Sequence, residues 1–361
     1  MPVLVALDAV PGSAFVDELR RIWDGGDAVL PVDPRLPAPA RARLLQALRP
    51  GEEVEAGDAL VVATSGTTGA PRGVVLTHAA VQAAAEAVHR RLSVDPATDR
   101  WLACLPLSHV GGLMVVVRSV LTGTPLTFAT DIGGDVGGAT SPAEPAATLV
   151  SVVPTLLDRM GTAGFRVVLL GGAADSGLRA GNVVRTYGMT ETAGGVVYDG
   201  EPLDCIEVRA DATGRLQVRG PTLLRSYRDG TDPKGPDGWL STGDVGEMVE
   251  GRLVVHGRAD DLIVTGGENV WPGPVEEILL THPAVADVAV VGRPDEEWGE
   301  RVVAVVVPQD PVAPPALAGL RSLVKERQPA YTAPRELVLV DALPRTAGGK
   351  LRRSALRSLL P

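Results

Sequence analysis

The sequence predicts a two-domain α/β protein, and three observations support this fold class. Short apolar segments typical of strands alternate with helical segments along most of the chain, which indicates a mainly parallel sheet covered by helices. A length of 361 residues and a hydrophobic content of 45% are enough for two well-buried cores. The pattern changes at Asp260, where two adjacent acids precede a new unit of helix and strand. We therefore predict a large domain over residues 1–259 and a small one over residues 260–361.

Hydrophobic periodicity and cap residues predict the elements in order. Residues 1–57 carry little information, and Thr77 is the expected N-cap of an Ala-rich helix. Strands are expected at 3–7, 59–63, 74–76, 101–105, 125–128, 149–153, 167–170, 182–186, 285–291 and 302–307, with a hairpin at 247–256. Helices are expected at 14–23, 40–48, 77–92, 112–121, 274–281 and 315–327.

Composition and charge exclude several classes of function. The net charge of −10 argues against a nucleic-acid partner. No apolar run approaches the roughly 18 residues that a membrane span needs, and the N-terminus lacks a basic region followed by an apolar one. These features predict a cytoplasmic protein without stable membrane association. The two cysteines, Cys104 and Cys205, lie in apolar contexts and are expected in the core.

The segment TSGTTGAPRG, residues 64–73, lies between two predicted strands and carries most of the functional signal. It contains three glycines and four hydroxyl side chains, at Thr64, Ser65, Thr67 and Thr68. Glycines let consecutive backbone N–H groups point at one place, and the hydroxyls add donors. Arg72 adds a positive charge, so the segment suits a polyphosphate. An ordinary surface loop of the same composition is the alternative.

Two more segments follow predicted strands of the same sheet, whose carboxyl ends are the usual place for ligands. Gly171-Gly172-Ala173 would let a flat base approach the backbone, although a tight turn is the alternative. In YGMTET, Tyr187 is a candidate stacking partner for adenine, and Glu191 is a hard oxygen ligand suited to Mg²⁺. The alternative is a buried tyrosine beside a capping hydroxyl.

Two charged residues complete the pattern. In WLSTGDVG we expect Asp244 in a turn before a hairpin. Its carboxylate would accept hydrogen bonds from the ribose hydroxyls, and the alternative is a turn aspartate that hydrogen-bonds its own backbone. Near the C-terminus, PRTAGGKLRR presents Lys350 after a Gly-Gly turn. Lys350 is one of only three lysines in an Arg-rich chain, which favours a role that arginine cannot fill over a merely solvated tail.

TSGTTGAPRG, YGMTET, STGD, GRADDLIVTGGEN and PRTAGGK resemble, in order, the signature segments of the AMP-forming acyl-CoA synthetases of the adenylate-forming superfamily. Arg72 stands where Lys is more usual. The resemblance implies a large α/β adenylate-forming domain, truncated at its N-terminus, and a small mobile C-terminal α+β domain. It implies an AMP-forming acid–thiol ligase that uses ATP and Mg²⁺, with coenzyme A as co-substrate.

The resemblance also implies a role for each matching residue. Three residues would act in catalysis. Lys350 would contact the reacting carboxylate and the α-phosphate, Thr190 would contact the α-phosphate, and Glu191 would bind Mg²⁺. Binding roles fall on Thr64, Ser65, Thr67, Thr68 and Arg72 for the pyrophosphate end of ATP; Gly171, Gly172, Ala173 and Tyr187 for adenine; Asp244 and Arg258 for ribose; Asp260 for the hinge; and Gly266, Gly267 and Glu268 for the CoA channel.

The segment LPLSHVGGLMVVVRSVLTG, residues 105–123, resembles the equivalent region of the short o-succinylbenzoate–CoA ligases of menaquinone biosynthesis. Arg118 lies in an otherwise apolar helix, and a buried guanidinium needs an anion. The second carboxylate of o-succinylbenzoate would provide one, whereas a path to water or a protein acid is the alternative. His109 would act at the mouth of the acid pocket, as a gate in the catalytic cycle rather than as a base, with Gly111 and Gly195 lining the pocket.

Three other functions stay open at this point. The nearest is a CoA ligase for another aryl or short-chain acid, followed by a stand-alone adenylation enzyme. A non-catalytic nucleotide binder is disfavoured because Lys350 and Glu191 are both present. The partners we expect are small molecules, and a homodimer is possible.

Overall fold

The computed structural model describes residues 1–65, 71–129, 146–172, 181–345, 351–353 and 355–356, with the side chain of Ser65 left out. The helices are α1 (Ser13–Asp24), α2 (Ala38–Leu48), α3 (His78–Leu92), α4 (Val110–Thr122), α5 (Pro154–Met160), α6 (Pro272–Leu280) and α7 (Leu317–Lys325). The strands are β1 (Leu4–Asp8), β2 (Ala28–Val32), β3 (Asp58–Ser65), β4 (Pro71–Thr77), β5 (Trp101–Ala103), β6 (Leu126–Phe128), β7 (Leu149–Val152), β8 (Val167–Gly171), β9 (Val183–Met189), β10 (Gly194–Tyr198), β11 (Glu201–Pro202), β12 (Glu207–Ala210), β13 (Arg215–Arg219), β14 (Ser226–Tyr227), β15 (Leu240–Val249), β16 (Arg252–Arg258), β17 (Ile263–Thr265), β18 (Glu268–Val270), β19 (Val285–Asp295), β20 (Gly299–Pro308) and β21 (Glu336–Leu339).

Two sheets form the centre of the large N-terminal domain. The first has the order β1-β2-β3-β4-β14, with β1, β2 and β3 parallel and β4 antiparallel to both of its neighbours. The second has the order β11-β10-β9-β8-β7-β5-β6 and is parallel from β9 to β6. The predicted parallel α/β sheet is therefore confirmed.

Helices α3 and α4 contribute buried residues to a hydrophobic core that both sheets share. The predicted cap is present, because the Thr77 hydroxyl accepts a 3.1 Å hydrogen bond from the Ala80 N–H. Five consecutive apolar residues of α4, from Leu113 to Val117, are almost inaccessible to water. A helix that is apolar on nearly every face is a buried helix, and α4 places Arg118 inside this core.

The structure corrects the expected position of Asp244. It does not lie in a turn before a hairpin but inside β15, opposite Arg258 of β16. The strand starts earlier than predicted because β13 pairs with its first residues while β16 pairs with the rest. Similarly, β9 continues through Tyr187 to Met189 because β10 folds back beside it, so Tyr187 is inside the strand rather than after its end.

A separate sheet with its own core forms the small C-terminal domain. Strands β18, β17, β20 and β19 pair in that order, and β21 adds to β20 in parallel. Helices α6 and α7 bury Leu279, Leu320 and Val324 against one face of this sheet. The boundary at Asp260 stays a prediction. None of the helices in the described residues is long and apolar enough to cross a membrane.

Candidate active site

The residues predicted to hold adenine and ribose are directly connected. The Tyr187 hydroxyl donates a 2.7 Å hydrogen bond to Asp244 Oδ2, and Arg258 Nη1 lies 3.4 Å from Asp244 Oδ1. Burial raises the pKa of Tyr187 well above its usual range, and the neighbouring Asp244 carboxylate raises it further. The phenol is therefore neutral and acts as a donor at every physiological pH, while β9, β15 and β16 bring the three side chains together.

Gly171 is the last residue of β8, the strand next to Tyr187, and Gly172 follows it. Gly171 pairs with Thr186, and a Cβ placed on Gly171 would lie 3.4 Å from the Thr186 hydroxyl oxygen. Gly172 has a φ of 71°, which glycine adopts at little cost. The absence of side chains leaves the backbone of this strand end open to a flat base. Ala173 lies outside the described residues.

The ends of the predicted phosphate loop lie closer together than expected. Strand β3 extends to Ser65 and β4 begins at Pro71, and Thr64 pairs with Arg72 across them. The Thr64 hydroxyl donates a 3.4 Å hydrogen bond to the Arg72 carbonyl oxygen. Thr67 and Thr68 lie outside the described residues, so their predicted contacts stay predictions.

Sequence reasoning missed Tyr227, which links the two charged residues of the predicted phosphate site. Its hydroxyl donates a 3.1 Å hydrogen bond to Glu191 Oε1, and the Arg72 guanidinium lies 3.8 Å from the centre of its ring. Burial is the main cause that raises the pKa of Tyr227 to about 12, and the negative charge of Glu191 is the second. The one signal that could have indicated this residue is the scarcity of tyrosine, since the chain has only four.

Thr190 and Glu191 are held by a short turn between β9 and β10. The Thr192 hydroxyl accepts a 2.9 Å hydrogen bond from the Met189 N–H and donates one of 2.6 Å to the Gly194 carbonyl oxygen. This closes a 3₁₀ turn over Thr190–Thr192 at the carboxyl end of β9. The turn keeps the two predicted catalytic residues close to Tyr187.

Arg118 is fully enclosed, with only 4% of its surface exposed. Within the part of the chain that the structure describes, its Nε and Nη1 atoms form no hydrogen bond. The centre of the Trp101 ring lies 5.4 Å from the guanidinium carbon. Burial lowers the pKa of Arg118. The side chain therefore has little access to water, which disfavours the alternative in which it reaches the solvent.

Tyr198 is a second buried polar residue that sequence reasoning did not single out. It is completely inaccessible, and its hydroxyl has no hydrogen-bond partner within the described ranges. Burial raises its pKa, and the Arg118 charge acts in the opposite direction. A Cβ on Gly195 would lie 3.3 Å from this hydroxyl, and one on Gly194 would lie 3.8 Å from Arg118 Nη2. The start of β10 therefore adjoins both buried polar groups.

His109 and Gly111 lie at the opposite end of α4 from Arg118. His109 is the exposed N-cap of the helix and Gly111 is exposed in its first turn. Nine residues of helix place His109 about 13 Å from Arg118 along the axis. The pocket with His109 at its mouth and Arg118 at its base stays a prediction.

The predicted hinge residue precedes the sheet of the small domain, and the predicted CoA-channel residues lie in a turn of that sheet. Asp260 is exposed in a single 3₁₀ turn, Ala259–Asp261. Gly266 and Gly267 have φ values of 60° and 82° in the turn that joins β17 to β18, where Glu268 is exposed. Lys350 lies outside the described residues.

The segment that contains Lys350 is held at both ends. Arg345 and Leu351 form an isolated antiparallel bridge, and the Arg352 N–H donates a 2.8 Å hydrogen bond to the Pro344 carbonyl oxygen. The two ends of the Gly-Gly-Lys segment are therefore adjacent.

Comparisons with known proteins agree with this architecture. A family described as AMP-binding enzyme matches residues 26–219, and one described as AMP-binding enzyme C-terminal domain matches residues 274–350. The chain belongs to the AMP-binding, adenylate-forming enzymes.

Individual relatives define the family further. The chain is 41% identical over 378 residues to a probable 2-succinylbenzoate–CoA ligase of Mycobacterium tuberculosis, covering 97% of each protein. It is 34% identical over 350 residues to the 2-succinylbenzoate–CoA ligase of Bacillus cytotoxicus, covering 86% of this chain and 72% of the relative. Within the AMP-binding enzymes, the chain is therefore a member of the 2-succinylbenzoate–CoA ligase family.

A solved structure of the same family is also similar. The o-succinylbenzoate CoA synthetase of Bacillus subtilis, in complex with its acyl-adenylate intermediate, superimposes with a TM-score of 0.74 at 29% sequence identity. The match covers 98% of this chain and 78% of that one. The predicted family and fold class are confirmed.

Proposed function

We propose that this protein uses ATP to convert 2-succinylbenzoate into an acyl-adenylate and then transfers the acyl group to coenzyme A, a step of menaquinone biosynthesis. The reaction class, an AMP-forming ligation of an acid to CoA, follows from family membership. Its substrates are small molecules: the acid, ATP and CoA. A cytoplasmic location, a possible homodimer and the absence of a nucleic-acid partner remain predictions.

The observation that carries the choice of acid is the buried Arg118 guanidinium. Among the residues that the structure describes, Arg118 Nε and Nη1 have no hydrogen-bond partner. A buried guanidinium without an anionic partner is costly, so such a site is suited to an anion that enters with the ligand. 2-Succinylbenzoate has two carboxylates. One is adenylated, and the other accepts hydrogen bonds from Arg118 in the two-pronged geometry that guanidinium and carboxylate favour.

ATP occupies the carboxyl ends of β8 and β9. Its adenine lies between the Gly171–Gly172 backbone and the Tyr187 ring, and its ribose hydroxyls donate to Asp244. The bond from Tyr187 to Asp244 supports this assignment, because it sets the adenine and ribose contacts at a fixed separation. Arg258, 3.4 Å from the same carboxylate, completes the ribose contact.

The first half-reaction needs charge neutralisation more than covalent catalysis. A carboxylate oxygen of the acid forms a bond to the α-phosphorus while the bond to the β-phosphate oxygen breaks, and pyrophosphate leaves. Both reactants are anions, so cations and donors must offset their repulsion and hold them in line. Arg72 and the loop hydroxyls hold the departing pyrophosphate, Thr190 donates to the α-phosphate, and Lys350 supplies a mobile cation at the carboxylate.

Glu191 is suited to act as a ligand of Mg²⁺. The described residues contain no group of three or more His, Cys, Asp or Glu side chains that could hold a metal alone. Mg²⁺ does not require such a group, because it commonly keeps its waters and binds one or two carboxylates together with substrate phosphates. When bound, Mg²⁺ neutralises phosphate charge. Glu191 would hold it through its carboxylate, and the hydrogen bond from the Tyr227 hydroxyl supports this role because it orients that carboxylate.

The second half-reaction requires a different arrangement of the domains. The small domain rotates about Asp260, which removes Lys350 from the adenylate and brings the turn at Gly266–Glu268 to the site. The CoA thiolate then attacks the acyl carbon, and AMP leaves with the electron pair of the broken acyl–phosphate bond. The exposure of the hinge turn and the two positive-φ glycines support these roles.

Pyrophosphate release and CoA-thioester formation across a panel of acids test the proposal. We expect 2-succinylbenzoate to give the highest kcat/KM in both assays, above benzoate, succinate and short fatty acids. A higher kcat/KM for another acid would indicate a CoA ligase of different specificity. Adenylate formation without a thioester would indicate a stand-alone adenylation enzyme, and no nucleotide turnover at all would indicate a binding protein.

A further inference from the structure

We propose that Tyr227 is a positioning residue that orients Glu191 for Mg²⁺ and holds Arg72 for the phosphates of ATP, so that one side chain couples the two charges of this site. This inference rests on the metal role proposed for Glu191. It concerns a residue outside all the segments that the sequence indicated as functional.

The backbone around Tyr227 is fixed between the two residues that it would couple. The Leu224 N–H donates a 2.8 Å hydrogen bond to the Glu191 carbonyl oxygen, and the Arg228 N–H donates one of 2.7 Å to the Gly73 carbonyl oxygen. Between them, Tyr227 pairs with Val74 of β4. The short strand β14 is therefore tied at one end to the turn that carries Glu191 and at the other to the strand that follows the phosphate loop.

The side chain makes two chemically different contacts from this fixed position. Its hydroxyl donates to Glu191 Oε1 at 3.1 Å, while Glu191 Oε2 accepts no hydrogen bond from any residue in the described ranges. A carboxylate held through one oxygen presents the other to a cation. Hydrogen bonds to a metal-binding carboxylate orient it and commonly change metal affinity by about 10- to 100-fold.

The face of the ring holds Arg72. The guanidinium carbon lies 3.8 Å from the ring centre, a close cation–π distance. The nearest described acid is Asp229, with Oδ2 at 3.8 Å from Arg72 Nη2, and both side chains are largely exposed. Such an exposed ion pair contributes little, so the ring is the stronger restraint on Arg72. It leaves the guanidinium N–H groups available to phosphate oxygens.

Two substitutions separate the contacts. Tyr227→Phe keeps the ring under Arg72 and removes the hydroxyl, whereas Tyr227→Leu removes both. Calorimetric titration with ATP, without Mg²⁺ and over a series of Mg²⁺ concentrations, measures binding independently of turnover. Glu191→Gln is the reference for loss of the metal ligand, and Tyr331→Phe, in the small domain, is the control for loss of a phenol hydroxyl elsewhere.

We expect Tyr227→Phe to bind ATP with normal affinity when Mg²⁺ is absent. The Mg²⁺ concentration that gives half of the metal-dependent increase in ATP affinity should be about tenfold higher than in the wild type. Tyr227→Leu should share this defect and also bind metal-free ATP about threefold more weakly, because Arg72 loses its ring. Tyr331→Phe should match the wild type.

Each failure has a separate meaning. If Tyr227→Phe responds to Mg²⁺ like the wild type while Glu191→Gln has lost this response, the role of Tyr227 is overturned and the metal role of Glu191 stands. Equal metal-free ATP binding by Tyr227→Leu and Tyr227→Phe would overturn the role of the ring. A wild-type Mg²⁺ response in Glu191→Gln would reject the metal role proposed for Glu191, and the inference with it.

Discussion

The Tyr187 hydroxyl donates a 2.7 Å hydrogen bond to Asp244 Oδ2, which joins two strands that belong to different sheets. Asp244 is 7% exposed, so its carboxylate depends on such donors for its stability as an anion. The bond therefore holds the ribose-binding carboxylate at a set distance from the adenine-binding ring.

Removing this hydroxyl should weaken ATP binding selectively. Tyr187→Phe keeps the aromatic face and removes one hydrogen-bond donor to Asp244, so we expect a several-fold rise in the KM for ATP, on the order of the 1 kcal/mol of one hydrogen bond. Asp244→Asn should raise it more, because the ribose contact itself changes. The KM for the acid should be unchanged in both variants. Steady-state kinetics with each substrate varied in turn checks this, and equal effects on both substrates would indicate a general disturbance of the sheets.

Lys350→Ala should abolish adenylate formation. It removes the mobile cation at the reacting carboxylate, and the loss of one such stabiliser commonly costs about 10²–10³-fold in rate. Thioester formation from supplied acyl-adenylate should survive, because Lys350 has moved away by that step. Assays of the two half-reactions separate these effects. Equal losses in both would contradict the two-state arrangement of the domains.

Asp260→Pro should have the opposite effect on the two half-reactions. Proline fixes φ at one value, so a hinge that needs two backbone conformations cannot pass between them. We expect near-normal acyl-adenylate formation and little thioester. A variant that is competent in both steps would place the hinge at another residue.

His89 should make the folded protein sensitive to acid. Its ring stacks beside Trp101, and burial, followed by the Arg118 charge, lowers its pKa from 6.5 to about 4. Between these values the unfolded chain binds a proton that the folded chain does not, so stability falls as the pH drops through this window. We expect about 1–2 kcal/mol for this effect, because the half-buried ring is partly screened by water.

His89→Gln supplies the control for that effect. Glutamine does not titrate, so the variant should lose roughly 1–2 kcal/mol less unfolding free energy than the wild type between about pH 6.5 and pH 4.5. Urea unfolding at the two pH values measures the difference. Identical pH dependence in the two proteins would show that His89 does not titrate in this range.

Local signals predicted much of the architecture. The Thr77 cap and the apolar helix that carries Arg118 follow from patterns within a few residues, and the mainly parallel sheet follows from the alternation of strands and helices. The structure confirms all three. Asp244 was misplaced because its strand is extended by pairing with β13 and β16, which no short segment encodes. Pairing between distant segments depends on the whole fold.

Tyr227 was missed for a related reason. It lies in a strand of only two residues, and its partner Glu191 is 36 residues away in the sequence. Its function arises from its position between two other segments and not from a motif of its own. The Tyr198 hydroxyl, which has no hydrogen-bond partner among the described residues, gave no signal either, since burial of a tyrosine within an apolar strand is ordinary.

The central claim is that Arg118 binds the second carboxylate of 2-succinylbenzoate. Arg118→Met replaces a buried charge with an apolar side chain of similar length, which should leave the melting temperature unchanged or higher. The acid 4-oxo-4-phenylbutanoate keeps the succinyl chain and lacks the ring carboxylate. The two acids and the two proteins form a thermodynamic cycle in kcat/KM.

The coupling between Arg118 and the ring carboxylate, measured over this cycle, is the most direct test. We expect kcat/KM for 2-succinylbenzoate to fall roughly 30- to several-thousand-fold in Arg118→Met, the effect of losing about 2–5 kcal/mol of a buried charge pair. The KM for ATP and the activity with the mono-acid should change little. A coupling near zero, with equal losses for both acids, would contradict the account.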